Sequence, residues 1–425
     1  MNPHLIGLRC SLCGMLYSPG EVTYTCPKDN GNLDAVYDYT HLSQHLDSAT
    51  ITHNPDRSIW RYAPLLPIVP HALPHTPLAS LGWSPLYRAP VIERELGIRA
   101  VWMKDDSRLP SSSFKDRASA MVIARAMEMG TKTICVASTG NAAAALAALC
   151  AGTGLQAVIF VPESTPEAKL AGILIHGARV YTVRGSYNDA VALAEAACRE
   201  FGWYNRSTGI NPYTREGKKT AGFEIAEQLA SQGRGNEGAR GQGDGETGFR
   251  APDVVIVPVG DGNIISGVHK GFRELHALGW IERVPRFVGV TAALSPSFYR
   301  AWQLGGEQFE TIPSQTIASG IGTDRPCDGV MALRAIRSTG GIVIEATDEE
   351  MLDAMRELAM KAGVFVEPAC AAAYVGLVKG RRMGVIGSDD EVVLQLTGSG
   401  FKDVRSALRA AGKPISVESL ADIRP

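Results

Sequence analysis

The sequence lacks the features that mark membrane, secreted and nucleic-acid-binding proteins. No apolar run approaches the ~20 residues needed to cross a bilayer, and residues 1–5 show no basic stretch leading into an apolar one, so a cytoplasmic location is expected. The charges nearly cancel: 42 Lys and Arg stand against 44 Asp and Glu, for a net charge of -2. No global field attracts nucleic acid or an anionic membrane, and neither is an expected partner.

Cysteine is also scarce, since eight in 425 residues are too few for a disulfide framework. Five of them lie in apolar or Ala-rich segments that are typical of reduced core thiols, namely Cys135, Cys150, Cys198, Cys327 and Cys370. The other three cluster near the start of the chain. There, Cys10-x-x-Cys13 is followed by a glycine, and Cys26-x-x-Asp29 repeats the spacing with a carboxylate in the last place.

This cluster predicts a small zinc-ribbon-like piece over residues 1–38, in which Cys10, Cys13, Cys26 and Asp29 bind a structural zinc ion. Thiolates and carboxylates both ligate zinc. The alternative is a degenerate ribbon that has lost its metal and is held by its hairpins alone. A closed site with four ligands leaves no open position for a water nucleophile, so we assign it no catalysis.

The rest of the composition is that of a globular protein, with 45% hydrophobic and 20% charged residues, and its length suggests two or three domains. Strand and helix patterns alternate between residues 133 and 201 and again after residue 253, which predicts an α/β fold with two doubly wound sheet domains. We expect a smaller domain over 101–212 and a larger one over 39–100 and 213–425. Seven glycines between residues 231 and 250 predict a flexible loop there.

Lys115 follows a run of small hydroxyl residues and precedes apolar positions at helical spacing, so it should stand at a helix start. Burial and the positive end of the helix dipole would both lower the pKa of its amine. Such an amine can form a Schiff base. The alternative is a surface lysine paired with Asp116.

A second signal lies between an apolar strand and a helix, where Gly260-Asp261-Gly262-Asn263-Ile264 would expose backbone N–H groups to a phosphate. A nucleotide site is the competitor, but the spacing fits neither the dinucleotide fingerprint nor a P-loop. Together with Lys115 and the turn that carries Asn141, this cup predicts a site for pyridoxal phosphate, in which Lys115 holds the aldehyde and Asn141 bonds the ring hydroxyl.

Five motifs then identify the chain as similar to a known family. They are S-F-K-D-R at 113–117, S-T-G-N at 138–141, N-P-x-x-x-E-G-x-K-T at 211–220, V-P-V-G-D-G-N at 257–263 and L-T-G-S-G-F-K-D at 396–403. In this order they resemble threonine synthases of the tryptophan-synthase-β-like class of pyridoxal-phosphate enzymes, in a subgroup with a Cys-rich N-terminal ribbon. The larger domain would then bind the cofactor phosphate.

The resemblance implies a role for each matching residue. Lys115 becomes the Schiff-base lysine and proton shuttle, and Thr397 faces the pyridine nitrogen. The substrate carboxylate would be received by three consecutive residues, Ser138, Thr139 and Gly140. Taken alone, Thr397 could be an ordinary strand-end residue and Asn141 a helix N-cap.

One departure concerns the substrate phosphate. These enzymes usually place an arginine at the position that is Thr214 here, and Arg215 stands one residue further on. A shift of one residue points the side chain elsewhere, so Arg206 and Lys218 are predicted to supply the missing charge.

The resemblance thus implies a homodimeric lyase that converts a small-molecule amino acid, O-phospho-L-homoserine, and water to L-threonine and phosphate. The alternative with the same cofactor is β-elimination or β-replacement on serine, threonine or O-phosphoserine, as in dehydratases and cysteate synthase, because the cup also aligns with the dehydratase form. A third hypothesis is a non-catalytic amino-acid sensor with a metal-binding head. The intact Lys115 argues against it.

Overall fold

A computed structural model describes residues 1–68, 73–233, 248–419 and 423 of the chain. Its strands are β1 (Leu5–Cys10), β2 (Leu16–Tyr17), β3 (Leu33–Tyr37), β4 (Leu86–Arg88), β5 (Ala100–Asp105), β6 (Thr133–Ala137), β7 (Gln156–Pro162), β8 (Arg179–Val183), β9 (Tyr204–Asn205), β10 (Val254–Pro258), β11 (Arg286–Ala292), β12 (Ile342–Ala346) and β13 (Glu391–Leu396). Its α-helices are α1 (Tyr39–His45), α2 (Ala49–Thr52), α3 (Pro90–Leu96), α4 (Lys115–Glu128), α5 (Asn141–Cys150), α6 (Glu167–Leu174), α7 (Tyr187–Phe201), α8 (Tyr213–Gly233), α9 (Asn263–Ala277), α10 (Ser297–Gln303), α11 (Gly329–Ser338), α12 (Asp348–Ala362), α13 (Pro368–Arg382) and α14 (Val404–Ala411). No helix of this described part is long and apolar enough to cross a membrane.

The N-terminal piece is a three-stranded antiparallel sheet in the order β2-β1-β3. Residues of β3 alternate between buried and half-buried, as expected when one face of a strand packs on a neighbour. That neighbour is the body of the protein, because Tyr37 and Tyr39 donate hydrogen bonds to Glu216 and Glu274. The ribbon therefore docks on α8 and α9.

The largest sheet has six strands in the order β12-β11-β10-β13-β5-β4. Five of them run parallel, and the edge strand β4 is antiparallel to β5. Every residue of β5, β10 and β13 is buried, as apolar runs in a parallel sheet require when helices cover both faces. The predicted domain bounds stay a prediction, but β5, which they assigned to the smaller part, lies in this larger sheet.

The smaller sheet has four parallel strands in the order β8-β7-β6-β9. Helices α5, α6 and α7 connect them in sequence. The alternating pattern predicted between residues 133 and 201 is therefore confirmed, and with it the α/β class.

Helix α8 begins at Tyr213, inside the motif N-P-x-x-x-E-G-x-K-T at residues 211–220. The Asn211 side chain accepts a hydrogen bond from the Tyr213 N–H, and Pro212 between them is well suited to a helix start. The helix also continues to Gly233, into the predicted loop over 231–250, of which residues 234–247 lie outside the described part. Lys218 consequently stands on a helix.

Helices α4, α8 and α9 pack unusually closely. A Cβ atom on Gly217 would lie 2.0 Å from the carbonyl oxygen of Arg117 on α4, and one on Gly271 would lie 2.3 Å from that of Lys219. Only glycine fits at such contacts. This packing sets the distance between the helices that carry Lys115, Lys218 and the phosphate cup.

Candidate active site

The predicted catalytic and cofactor-binding residues meet in one cavity at the carboxyl ends of the parallel strands, where ligands bind in open α/β sheets. Strand β10 leads into the cup, β13 leads into Thr397, and β6 leads into the turn before Asn141. The cavity is lined by Phe114, Lys115, Asn141, Thr208, Lys218, Pro258, Gly260, Asp261, Gly262, Asn263, Ile264, Gly320, Ile321, Glu367, Ala369 and Thr397.

Lys115 is the first residue of α4, as predicted. Its helix is fixed by Arg117, whose guanidinium bonds the buried carboxylates of Asp106 (2.8 Å) and Glu224 (2.7 Å). Asp116 accepts hydrogen bonds from Ser111, so it does not pair with the lysine. The Lys115 amine has no hydrogen-bond or ion-pair partner in the described chain. Burial lowers its pKa, the main effect expected for a Schiff-base amine.

The cup at residues 260–263 is shaped for an anion. Gly262 has a φ of 87°, and a Cβ atom there would lie 2.7 Å from the Ala332 side chain. At Gly260 a Cβ atom would meet the backbone of Ile321 at 2.7 Å. The next residue, Asn263, begins α9, so the N–H groups of a 15-residue helix open onto the cavity. The cup therefore fits the phosphate of pyridoxal phosphate.

Asn141 is the first residue of α5, and its side chain does not cap the helix. Its Nδ2 donates to Glu367 Oε1 at 2.8 Å. The amide carries two hydrogens, so the second remains for a ring hydroxyl. Thr397 is also buried, and within the described residues its hydroxyl has no hydrogen-bond partner. Both side chains suit the roles that the resemblance implies.

Glu367 is the main site residue that the sequence analysis missed. It precedes Pro368 at the start of α13, and its backbone N–H donates to the Gly398 carbonyl beside Thr397. Burial raises the pKa of its carboxyl. The dipeptide Glu-Pro at a helix start was the available signal, but it only indicates a helix boundary.

Four predicted residues do not line the cavity. Ser138, Thr139 and Gly140 are half-buried directly before Asn141, at the N-terminus of α5. Arg206 is fully buried and lies behind the lysine, where it donates hydrogen bonds to Ser119, to Thr208 and, at 3.4 Å, to the Lys115 carbonyl. Their predicted contacts with substrate stay predictions.

Two cations beside the cavity lack counter-ions. Eight lysine and arginine side chains are buried in the described residues, and six of them pair with carboxylates, namely Arg61, Lys104, Arg117, Arg215, Lys219 and Lys270. Arg206 and Lys218 do not. Burial, reinforced by Lys115 and Arg206, holds the pKa of Lys218 well below its usual range, and burial lowers that of Arg206 to about 10. Burying two positive charges without a counter-ion costs desolvation free energy, unless a bound anion compensates the charges.

Arg215 points away from the cavity, as the shift by one residue predicts. Its guanidinium pairs with Asp328 at 2.5 Å and with Asp34 of the ribbon at 3.3 Å. Thr214, at the position where the family usually has arginine, donates to the Asn211 carbonyl at 2.8 Å. Neither residue supplies charge to the cavity.

The predicted metal ligands also come together. Cys10 Sγ lies 3.3 Å from Asp29 Oδ1, Cys13 Sγ lies 3.8 Å from Cys26 Sγ, and all four ligand atoms lie within 4.8 Å of one another. Zinc–sulfur bonds of about 2.3 Å in a tetrahedron place two sulfurs roughly 3.8 Å apart. The four side chains are therefore spaced as a tetrahedral ion requires.

Comparison with known proteins agrees with this site. A family model described as pyridoxal-phosphate dependent enzyme matches residues 78–398, which include Lys115, the cup and Thr397. The chain therefore belongs to the family of pyridoxal-phosphate dependent enzymes.

Within that family the chain is similar to threonine synthases over nearly its whole length. It is 37% identical to the threonine synthase of Methanosarcina acetivorans, covering 98% of this chain and 96% of the relative. It is 35% identical to that of Methanocaldococcus jannaschii, covering 96% of both, and 33% identical to that of Mycobacterium leprae, covering 88% of this chain and 96% of the relative. The prediction of a pyridoxal-phosphate-dependent lyase of the threonine synthase type is confirmed.

Solved structures show the same fold. The processed form of threonine deaminase isoform 2 from Solanum lycopersicum superposes with a TM-score of 0.63 at 20% identity, over 77% of this chain and 83% of that one. Maize serine racemase also has a TM-score of 0.63 at 20% identity, over 75% and 88%. At this identity the likeness concerns the fold alone.

Proposed function

We propose that this protein converts O-phospho-L-homoserine and water to L-threonine and phosphate. The observation that carries the proposal is the buried, unpaired cationic pair Arg206 and Lys218 beside Lys115. The cofactor phosphate has its own cup at the start of α9, so the extra positive charge suits a substrate that brings a second phosphate. The names of the similar proteins from Methanosarcina acetivorans and Methanocaldococcus jannaschii support the same product.

Each residue then has a task. When bound, pyridoxal phosphate supplies an electron sink that makes hydrogens on the substrate's α-carbon acidic. Lys115 Nζ takes and returns protons, because its lowered pKa increases the unprotonated fraction near neutral pH. The Thr397 hydroxyl would hold the ring nitrogen by a hydrogen bond and would not give it a full charge. The N-terminus of α5, preceded by Ser138, Thr139 and Gly140, faces the substrate carboxylate.

The test compares substrates on the purified holoenzyme. With O-phospho-L-homoserine we expect phosphate and L-threonine to form in equal amounts, measured by phosphate assay and amino-acid chromatography. Serine, threonine and O-phosphoserine serve as controls, with oxo acid and ammonia followed. Oxo acid from these amino acids at a higher kcat/KM than threonine formation would favour the elimination alternative. Bound cofactor without turnover of any substrate would favour a sensor.

We also propose that the ribbon binds one structural zinc ion through Cys10, Cys13, Cys26 and Asp29. The distances between their side chains support this, and so does Gly31, where a Cβ atom would lie 2.6 Å from Cys10 Sγ and crowd the site. A free amino-acid substrate, a homodimer and a cytoplasmic location complete the proposal.

We expect Cys26→Ser to reduce the zinc content from about one ion per chain to near zero, because the site loses one of four ligands and a soft thiolate. Metal analysis of the purified protein measures this. Cys327→Ser is the control and should keep its zinc, because this thiol lies outside the cluster. It is exposed, so the prediction of a core thiol is wrong for Cys327, whereas Cys135, Cys150, Cys198 and Cys370 are buried. A metal-free wild-type chain, purified without chelator, would contradict the proposal.

A further inference from the structure

Asn32 links the ribbon to the cofactor site, beside the ion pairs that Arg215 makes with Asp34 and Asp328. Its backbone belongs to the loops that carry the metal ligands: its carbonyl accepts from Ser11 N–H, between Cys10 and Cys13, at 2.8 Å. It also forms a β-bridge with Thr25, next to Cys26. The position of Asn32 therefore depends on how firmly these loops are held.

The side chain of Asn32 leaves the ribbon and bonds the larger domain. Its Nδ2 donates to the Cys327 carbonyl at 2.6 Å and to Asp328 Oδ1 at 2.9 Å. Both hydrogens of the amide are used on one loop, the segment just before α11. This contact joins residues almost 300 positions apart in the chain.

Asp328 in turn holds the phosphate cup. Its buried carboxylate accepts from Asn263 Nδ2 at 2.8 Å and from Ser266 Oγ at 2.7 Å, both on the first turn of α9. Its backbone N–H donates to the Asp261 carbonyl at 2.8 Å. Asn263 then accepts from Lys218. Four side chains, Asn32, Asp328, Asn263 and Lys218, thus connect the ribbon to the cavity.

We propose that Asn32 is a positioning residue for the cofactor phosphate, and that metal bound in the ribbon strengthens cofactor binding through it. The inference rests on the metal site proposed above. A metal ion that joins the two ligand loops fixes the backbone on both sides of Asn32. Without the ion the loops gain freedom, Asp328 loses a well-placed donor, and Asn263 and the cup are less firmly oriented.

The coupling must act in both directions. If metal tightens cofactor binding by some factor, the cofactor tightens metal binding by the same factor, because the two affinities are thermodynamically linked. Couplings between sites are commonly of the order of five- to a hundredfold. The apo-cofactor protein should therefore lose zinc to a chelator more readily than the holoenzyme.

The test measures pyridoxal-phosphate dissociation constants of the full-length protein by absorbance titration, with zinc analysis alongside. In the wild type, chelation should raise the dissociation constant roughly five- to fiftyfold. In Asn32→Ala the constant should be raised with zinc still bound, and chelation should add little. No substrate is involved, so the result stands whether or not O-phospho-L-homoserine is turned over.

Arg334→Ala is the matched control, because Arg334 also reaches the ribbon, at the Ser11 carbonyl, but does not touch the cup. It should keep wild-type cofactor affinity and its dependence on zinc. Equal weakening by both substitutions, or an unchanged constant in Asn32→Ala, would overturn the role of Asn32. If chelation unfolds the protein, as circular dichroism would reveal, the zinc-loaded Asn32→Ala variant still decides that role. If the dissociation constant of the wild type for pyridoxal phosphate is the same with and without zinc, the proposed coupling is wrong.

Discussion

Lys115→Ala is expected to lower turnover by at least a factor of about a thousand and to remove the absorbance band of lysine-bound pyridoxal phosphate. Proton transfer by a positioned group contributes roughly 10²–10⁴-fold by itself, and the variant also loses the only amine that both lines the cavity and lacks a partner in the described chain. The remaining amine, Lys218, is bound to Asn263. Steady-state kinetics and an absorbance spectrum measure both effects.

Lys169→Ala is the control for this substitution, since Lys169 is an exposed lysine on α6 of the smaller sheet. It should keep both the spectrum and the activity. Cofactor should still bind Lys115→Ala through the cup, though more weakly, because the backbone groups that hold its phosphate are unchanged. A Lys115→Ala protein that retained the wild-type spectrum would show that another amine carries the cofactor.

Lys218→Gln is expected to raise the KM for O-phospho-L-homoserine roughly ten- to a hundredfold, because a hydrogen bond to a charged group is worth about 1.5–3 kcal/mol. Glutamine removes the charge and keeps a long side chain that can still form hydrogen bonds. Arg215 is committed to Asp328 and Asp34, so it does not replace the lost charge, and Arg206 alone remains of the cationic pair. Kinetics at saturating cofactor measure the change.

Two further measurements make this prediction specific. Binding of L-threonine, which lacks the phosphate, should change little in Lys218→Gln. Burial lowers the pKa of Lys218, so its charge is lost as pH rises through that pKa, and the KM of the wild type should rise in the same range. The variant should lack this rise. An unchanged KM and an unchanged pH profile would assign the substrate phosphate to other residues.

The parts of the site that can be predicted from sequence are those formed by residues that are close together in the chain. The cup needs two glycines and a helix start within five positions, and Lys115 needs hydroxyl residues before it and a helix after it. Such patterns are local, so they survive without knowledge of the fold.

The parts that could not be predicted depend on contacts between distant segments. The hydrogen bond between Glu367 and Asn141 joins residues 226 positions apart. The sequence around either residue does not indicate that the other is its partner. The placement of β5 in the larger sheet follows from its pairing with β13, nearly 300 residues later.

The close packing at Gly217 and Gly271 limits how this enzyme can be redesigned. The two contacts hold α4, α8 and α9 at a separation that no larger side chain permits, so a substitution at either glycine would displace the helices that carry Lys115, Lys218 and the cup. Selection for a new substrate would therefore find little freedom there. We expect accepted changes in laboratory evolution to accumulate at other lining positions, such as Thr208.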